Sequence, residues 1–147
     1  MLLNKTSTVA HLFRSRKITP SAQHTLVYDE LVKLLKKYEN RLEVKSNTND
    51  HYELWTTHIF RSSGSSPKFK KGILFSSVII HRRFTSLYFY PLYIDPELKT
   101  KLTEKLKGHL KGKTCFHFNA LSIDLLPDLV ELFELGWDSY KKIAIVQ

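Results

Sequence analysis

The stretch FSSVIIHRRFTSLYFYPLY, residues 75–93, decides the fold. Two runs rich in β-branched and aromatic residues flank His81, Arg82 and Arg83, and from Ile73 onward the simplest reading is an antiparallel hairpin. With a two- or four-residue turn centred on Arg82 and Arg83, period-two alternation puts Leu74, Val78, Ile80, Leu87 and Phe89 on one face. That face is expected to be core. The opposite face carries Ser77, Ile79, Ser86, Tyr88 and Tyr90, more polar and still aromatic, so it is either half covered or a shallow ligand surface. Of these, Ser77, Ser86, Tyr88 and Tyr90 are the candidate ligand-binding residues. A three-residue turn would shift the pairing by one and spoil the sorting, because side chains alternate strictly across a strand.

Upstream of the hairpin, TLVYDELVKLLKKYEN places Val27, Leu31, Leu34, Leu35 and Tyr38 at helical spacing. Asp29 and Glu30 come early and Lys36 and Lys37 late, as the helix dipole favours, which predicts a helix over about residues 25–39. RLEVKS reads as a short strand, SNTND as a turn, HYELWTTHIF as a second strand, and RSSGSSPKFKKG as a loop.

Downstream, Pro91 ends the strand, and Leu98, Leu102 and Leu106 at a spacing of four predict one helix or two short ones, with Asp95 as N-cap before Pro96. KTCFHFN is a further strand, with Phe116 and Phe118 on one face and Cys115 and His117 on the other. The final helix has Asp124 as its expected cap, Pro127 in its first turn, and an apolar stripe of Leu126, Leu129, Val130, Phe133, Trp137 and Tyr140. The element order implies α+β: an antiparallel sheet of about five strands with N-terminal and C-terminal helices packed on one face.

At 147 residues the chain has the length of one domain, and 42% hydrophobic with 25% charged residues is an ordinary globular composition. Residues 1–24 are expected to be a flexible basic tail and residues 25–147 the folded domain. Residues 1–28 hold no Asp or Glu but include Lys5, Arg14, Arg16 and Lys17, a composition superficially like an organellar transit peptide, for which a frayed terminus is the plainer account. The one cysteine, Cys115, excludes an internal disulfide and a multi-cysteine zinc site and fits a reducing compartment. No apolar run approaches the roughly eighteen residues of a membrane span, so a cytoplasmic, non-membrane protein is expected.

The run from LFSSVIIHRRFTSLYFYPLYIDPEL through LKGKTCFHF to LVELFELGWDSYKK resembles the YdhG-like family, the domain of unknown function numbered 1801. Pro91, Tyr93, Leu106, Gly112, Lys113, Cys115, Phe116, Phe118 and Gly136 stand where that pattern wants them, over about residues 25–142. The resemblance implies a compact α+β domain, bacterial and cytoplasmic, with the general look of frataxin-like iron-handling proteins. It supplies no catalytic residues to carry over.

Two charged constellations suggest other functions. Asp124, Asp128, Glu131, Glu134 and Asp138 line the last helix at spacings of three and four, so iron is a possible cofactor of an exposed carboxylate ridge, against the plainer reading of a solvated face. With a net charge of +9, the chain attracts anions, and Lys99, Lys101, Lys105, Lys107, Lys111 and Lys113, together with Lys68, Lys70, Lys71, Arg82 and Arg83, could engage a polyanion or nucleic acid. The anion candidates of most weight are Arg82, Arg83, Lys99, Lys105, Lys111 and Lys113.

Cys115 and His117 share a strand face, but residues two apart on a strand lie roughly 6.5–7 Å apart, too far for a thiolate–imidazole pair. No GxGxxG, GxxxxGK[ST] or GxSxG motif occurs, and the seven histidines include no HxH or HExxH spacing. The favoured reading is a binding domain without catalytic activity, taking an unknown small ligand or protein partner on the hairpin face, with no cofactor.

Overall fold

A computed structural model describes residues 19–57 and 72–142. Helix α1 (Pro20–Leu35) opens with Thr19 as N-cap, whose Oγ1 accepts from Ala22 N–H at 3.1 Å, and with Pro20 at the first helical position. The helix therefore begins five residues before the expected start near residue 25, because Thr19-Pro20 is a stronger start signal than the later acids. Residues 20–24 belong to the folded unit, and His24 is buried within it. A 3-10 turn, Lys36–Tyr38, continues α1 toward the sheet.

Among the described residues the sheet has six antiparallel strands in the order β1-β2-β3-β4-β6-β5. They are β1 (Glu43–Asn47), β2 (His51–Trp55), β3 (Leu74–Ile80), β4 (Thr85–Phe89), β5 (Leu110–Lys111) and β6 (Cys115–Phe118). The strand beyond the expected five is β5, two residues turned back against β6 through Gly112, which at φ +81° adopts the left-handed backbone a side chain disfavours. The loop expected over residues 61–72 and the tail before residue 19 lie outside the described residues, apart from Gly72.

The hairpin forms as its alternation requires. His81 N–H bonds Phe84 C=O at 2.8 Å, leaving Arg82 and Arg83 as a two-residue turn, and Val78 faces Leu87 while Ser77 faces Tyr88. Val78, Leu87 and Phe89 are fully buried. Leu74 departs from the expected sorting. Leu54 pairs with Ser76 and Trp55 with Leu74, so Phe75 is an extra residue in β3, a bulge that reverses the parity of the strand below it. Phe75 consequently enters the core, and half-buried Leu74 sides with Trp55 on the opposite face.

After β4, Pro91 starts a single helical turn, α2 (Pro91–Ile94). A 3-10 helix (Pro96–Lys101), with Asp95 Oδ1 accepting from Glu97 N–H, and the short α3 (Glu104–Lys107), with Thr103 Oγ1 accepting from Leu106 N–H, then complete the two-short-helices alternative. Their Leu98, Leu102 and Leu106 are buried. Helix α4 (Leu126–Lys142) closes the fold. Asp124 is not its cap: Ser122 Oγ accepts from Asp124 N–H and starts a 3-10 turn, Ile123–Leu125, that leads into Pro127.

Helices α1 and α4 cover one face of the sheet. Thr85 Oγ1 donates to His24 C=O of α1 at 2.8 Å, and the Phe89 and Phe133 rings meet at 5.4 Å. Gly136 allows that approach, since a Cβ there would lie 2.3 Å from Phe89 Cζ and 2.9 Å from Pro91 Cγ. Phe75 sits at the centre, with its ring edge-on to Phe89, Trp137 and Tyr140 at 5.4–5.9 Å.

Candidate functional site

With the helices on one side, the other side of the sheet presents a band of side chains fixed by strand register. His51, Glu53 and Trp55 come from β2, Ser77 and Ile79 from β3, Ser86 and Tyr88 from β4, and Cys115 and His117 from β6. Lys111, opposite Cys115, ends the band on β5. No described helix lies over it.

On one half of this face, Glu53 is held twice, accepting from Trp55 Nε1 at 2.9 Å and meeting His51 Nε2 at 2.7 Å. Lys45 of β1 places its ammonium 4.3 Å from the centre of the Trp55 ring, a cation–π contact that leaves a cation beside an indole. On the other half, the Phe84 ring stacks on His117 at 3.9 Å with 16° between planes, and His81 lies 4.8 Å from Phe84. Burial holds the His117 pKa below its ordinary value, with the neighbouring positive potential of His81 and Lys111 acting the same way. His117 is therefore inclined to present a neutral imidazole.

Tyr88 stands between the two halves. It is 37% exposed and faces Ser77 on one side and Cys115 on the other. The Cys115 thiol, then burial, raises the Tyr88 pKa. Burial likewise raises that of Cys115, so the thiol is protonated at neutral pH and is a poor nucleophile.

The other expected ligand residues are placed differently. Ser77 and Ser86 share the face of Tyr88 but are 3% and 0% exposed, so they floor the surface and do not contact a ligand directly. Ser86 Oγ lies 2.9 Å from His81 Nε2, the spacing of a nucleophile and its base, yet its complete burial closes it to substrate. Tyr90 is past the end of β4, where Pro91 has turned the chain into α2. It packs on Tyr93 at 5.2 Å, partly buried against the core. Alternation could not place it, because period two ends with the strand.

The acidic residues of the last helix are dispersed among separate partners. Asp128 accepts from Thr103 Oγ1 at 2.9 Å, Glu134 pairs with Lys37 at 3.2 Å, and Asp138 pairs with Lys141 at 3.5 Å, while Asp124 and Glu131 are exposed. Among the described residues, no three His, Cys, Asp or Glu side chains group closely enough to hold a metal ion.

The basic residues divide as well. Arg82 and Arg83 cap one end of the β3–β4 hairpin, whereas Lys113 sits in the β5–β6 turn beside the far end of β4, where Phe89 N–H bonds Thr114 C=O. Lys99 and Lys105 belong to the short helices that pack with α4, and only Lys111 of the basic candidates joins the open face. Trp55, His51 and Phe84 were missed as members of the band. Trp55 and His51 sit at even spacing from Glu53, but only the pairing of β2 with β3 shows which parity faces outward.

No protein-family model, no curated relative and no solved structure matches this chain.

Proposed function

We propose that the chain is a binding domain that takes a ligand with a flat apolar group on the open face of its sheet, with Tyr88 as the central contact. The observation that supports this reading is an exposed tyrosine between a lysine-capped tryptophan and a stacked phenylalanine–histidine pair, on a face no described helix covers. Trp55 and Phe84 are already braced by their neighbours, so a ligand stacking beside them would cost little further ordering.

The test is a thermal-shift screen of nucleotides, aromatic metabolites and short oligonucleotides, since any ligand that prefers the native state raises its melting temperature. A hit should weaken by roughly 0.5–1.5 kcal/mol in Tyr88→Ala, the worth of one aromatic contact. Trp55, one of only two tryptophans, should report it by fluorescence. A hit that binds Tyr88→Ala and Phe84→Ala as well as it binds the parent protein would place the site elsewhere.

A second reading, polyanion binding, is favoured by Lys45 and Lys111 at the two edges of the same face and by Arg82 and Arg83 at its hairpin end. It differs in a measurable respect: affinity for a single-stranded oligonucleotide would fall steeply as salt rises, because bound phosphates release counterions.

A further inference from the structure

A recess lies on the helical side of the molecule. The 3-10 turn after α1 and the outer face of α4 enclose a recess of about 380 Å³, within the range of small-ligand pockets. The turn is hydrogen-bonded throughout: Glu39 N–H bonds Lys36 C=O at 3.0 Å, Arg41 N–H bonds Tyr38 C=O at 3.1 Å, and Glu39 accepts from Tyr52 Oη at 2.6 Å on the side of the sheet. It delivers Tyr38 and Arg41 to the recess, and α4 delivers Glu134, Trp137 and Asp138.

Two features of this lining are unspent. Tyr38 is 6% exposed, and its hydroxyl is the buried side-chain polar atom that finds no hydrogen-bond partner among the described residues. Such a group is ordinarily removed or satisfied, because burying it unpaired is unfavourable. The second feature is charge. Lys37 is paired with Glu134 and Lys141 with Asp138, each pair at the rim, which leaves the Arg41 guanidinium without a carboxylate partner among the described residues. It lies 5.8 Å from the centre of the Trp137 ring, within cation–π range, and its planar fork of donors suits a planar anion.

We propose that this recess binds a small organic carboxylate, held on the Arg41 guanidinium, with a small shift of the Tyr38 ring bringing its buried hydroxyl to the carboxylate as donor. A carboxylate matches the fork of an arginine bidentately, supplies the acceptor that Tyr38 lacks, and balances the one unmatched charge of the lining. A ligand ammonium group reaches Glu134 or Asp138 only by displacing Lys37 or Lys141, so an apolar acid is one form of this ligand and an amino acid that makes this exchange the other. The site is separate from the open sheet face and does not depend on what that face binds.

The experiment titrates benzoate and glutamate, with benzamide as the uncharged control, into the full chain and into Arg41→Gln and Tyr38→Phe, following melting temperature and Trp137 fluorescence in a Trp55→Phe background. Benzoate, glutamate or both should raise the melting temperature of the parent while benzamide does not, and which acid does so distinguishes an apolar from a zwitterionic ligand. Arg41→Gln should weaken that binding about tenfold or more, the worth of a hydrogen bond to a charged group. Tyr38→Phe should also weaken it, yet leave the ligand-free protein as stable as the parent or more so, since it removes an unpaired buried group. A Tyr38→Phe protein that melts lower without ligand would show that the hydroxyl already has a structural partner and would overturn the proposal. So would the lack of any response to either acid at about 10 mM, a concentration high enough for even weak native-state binding to show, or binding that Arg41→Gln leaves unchanged.

Discussion

At the scale of single residues, the open face owes its character to how each side chain is braced. Glu53 is held by Trp55 and His51, and Phe84 by His117 and His81, so these side chains have defined partners on the face. His117 reports this arrangement through pH. Its folded pKa lies below the ordinary 6.5, chiefly from burial and then from His81 and Lys111, so the unfolded chain takes up a proton before the folded one does. The contribution of His117 to stability is whole above that ordinary value and is lost as pH falls below it. Urea unfolding at about pH 7 and about pH 5 should therefore show a smaller acid loss in His117→Gln than in the parent. An equal or larger loss in the variant would contradict the assignment. Cys115 and His117, which share the face as the alternation in KTCFHFN requires, lie on one strand with a protonated, buried thiol. Their alternation was readable; their surroundings were not.

At the scale of elements, the β3–β4 hairpin formed with one of the two expected turns and with the expected pairing, because an even-numbered turn sorts Val78, Leu87 and Phe89 to one side and an odd one does not. Its lower end did not follow, since a bulge depends on the partner strand: nothing in LFSS says that Trp55 will skip Phe75 to reach Leu74. This makes a sharp comparison possible. Phe75→Ala, which empties the centre of the aromatic cluster, should cost about 3–5 kcal/mol, whereas Leu74→Ala on the other face should cost well under half as much. Chemical denaturation of the two variants checks this. Comparable losses would mean that strict alternation continues through the bulge. The last helix shows the same division. Its apolar stripe was legible from spacing, with Leu129, Phe133, Trp137 and Tyr140 all buried, but its start was displaced by the Ser122 cap and the intervening 3-10 turn.

At the scale of the whole molecule, charge is the dominant unbalanced quantity. A net +9 on 147 residues works against the compact state by self-repulsion, and the observed ion pairs, such as Lys37–Glu134 and Lys107–Glu104, are exposed and contribute little. Raising sodium chloride from about 20 to about 300 mM, which shortens the screening length several-fold, should therefore raise the melting temperature. A fall would show that surface pairs outweigh the repulsion. Among the described residues, no helix is long and apolar enough to cross a membrane.

The sequence by itself determined the α+β class, the antiparallel hairpin about Arg82 and Arg83, the buried stripe of each long helix and the outward parity of Tyr88. These follow from periodicity, which is local and needs only neighbours three, four or two residues away. Only the tertiary structure decided that Phe75 replaces Leu74 in the core, that Trp55 and Lys45 join Tyr88 on one face, and that Arg41 and Tyr38 meet Trp137 around a recess. Those facts depend on which strand pairs with which, and on residues about a hundred positions apart packing together. Long-range contacts of that kind leave no period in the chain, because what they satisfy is the shape and charge of a distant surface.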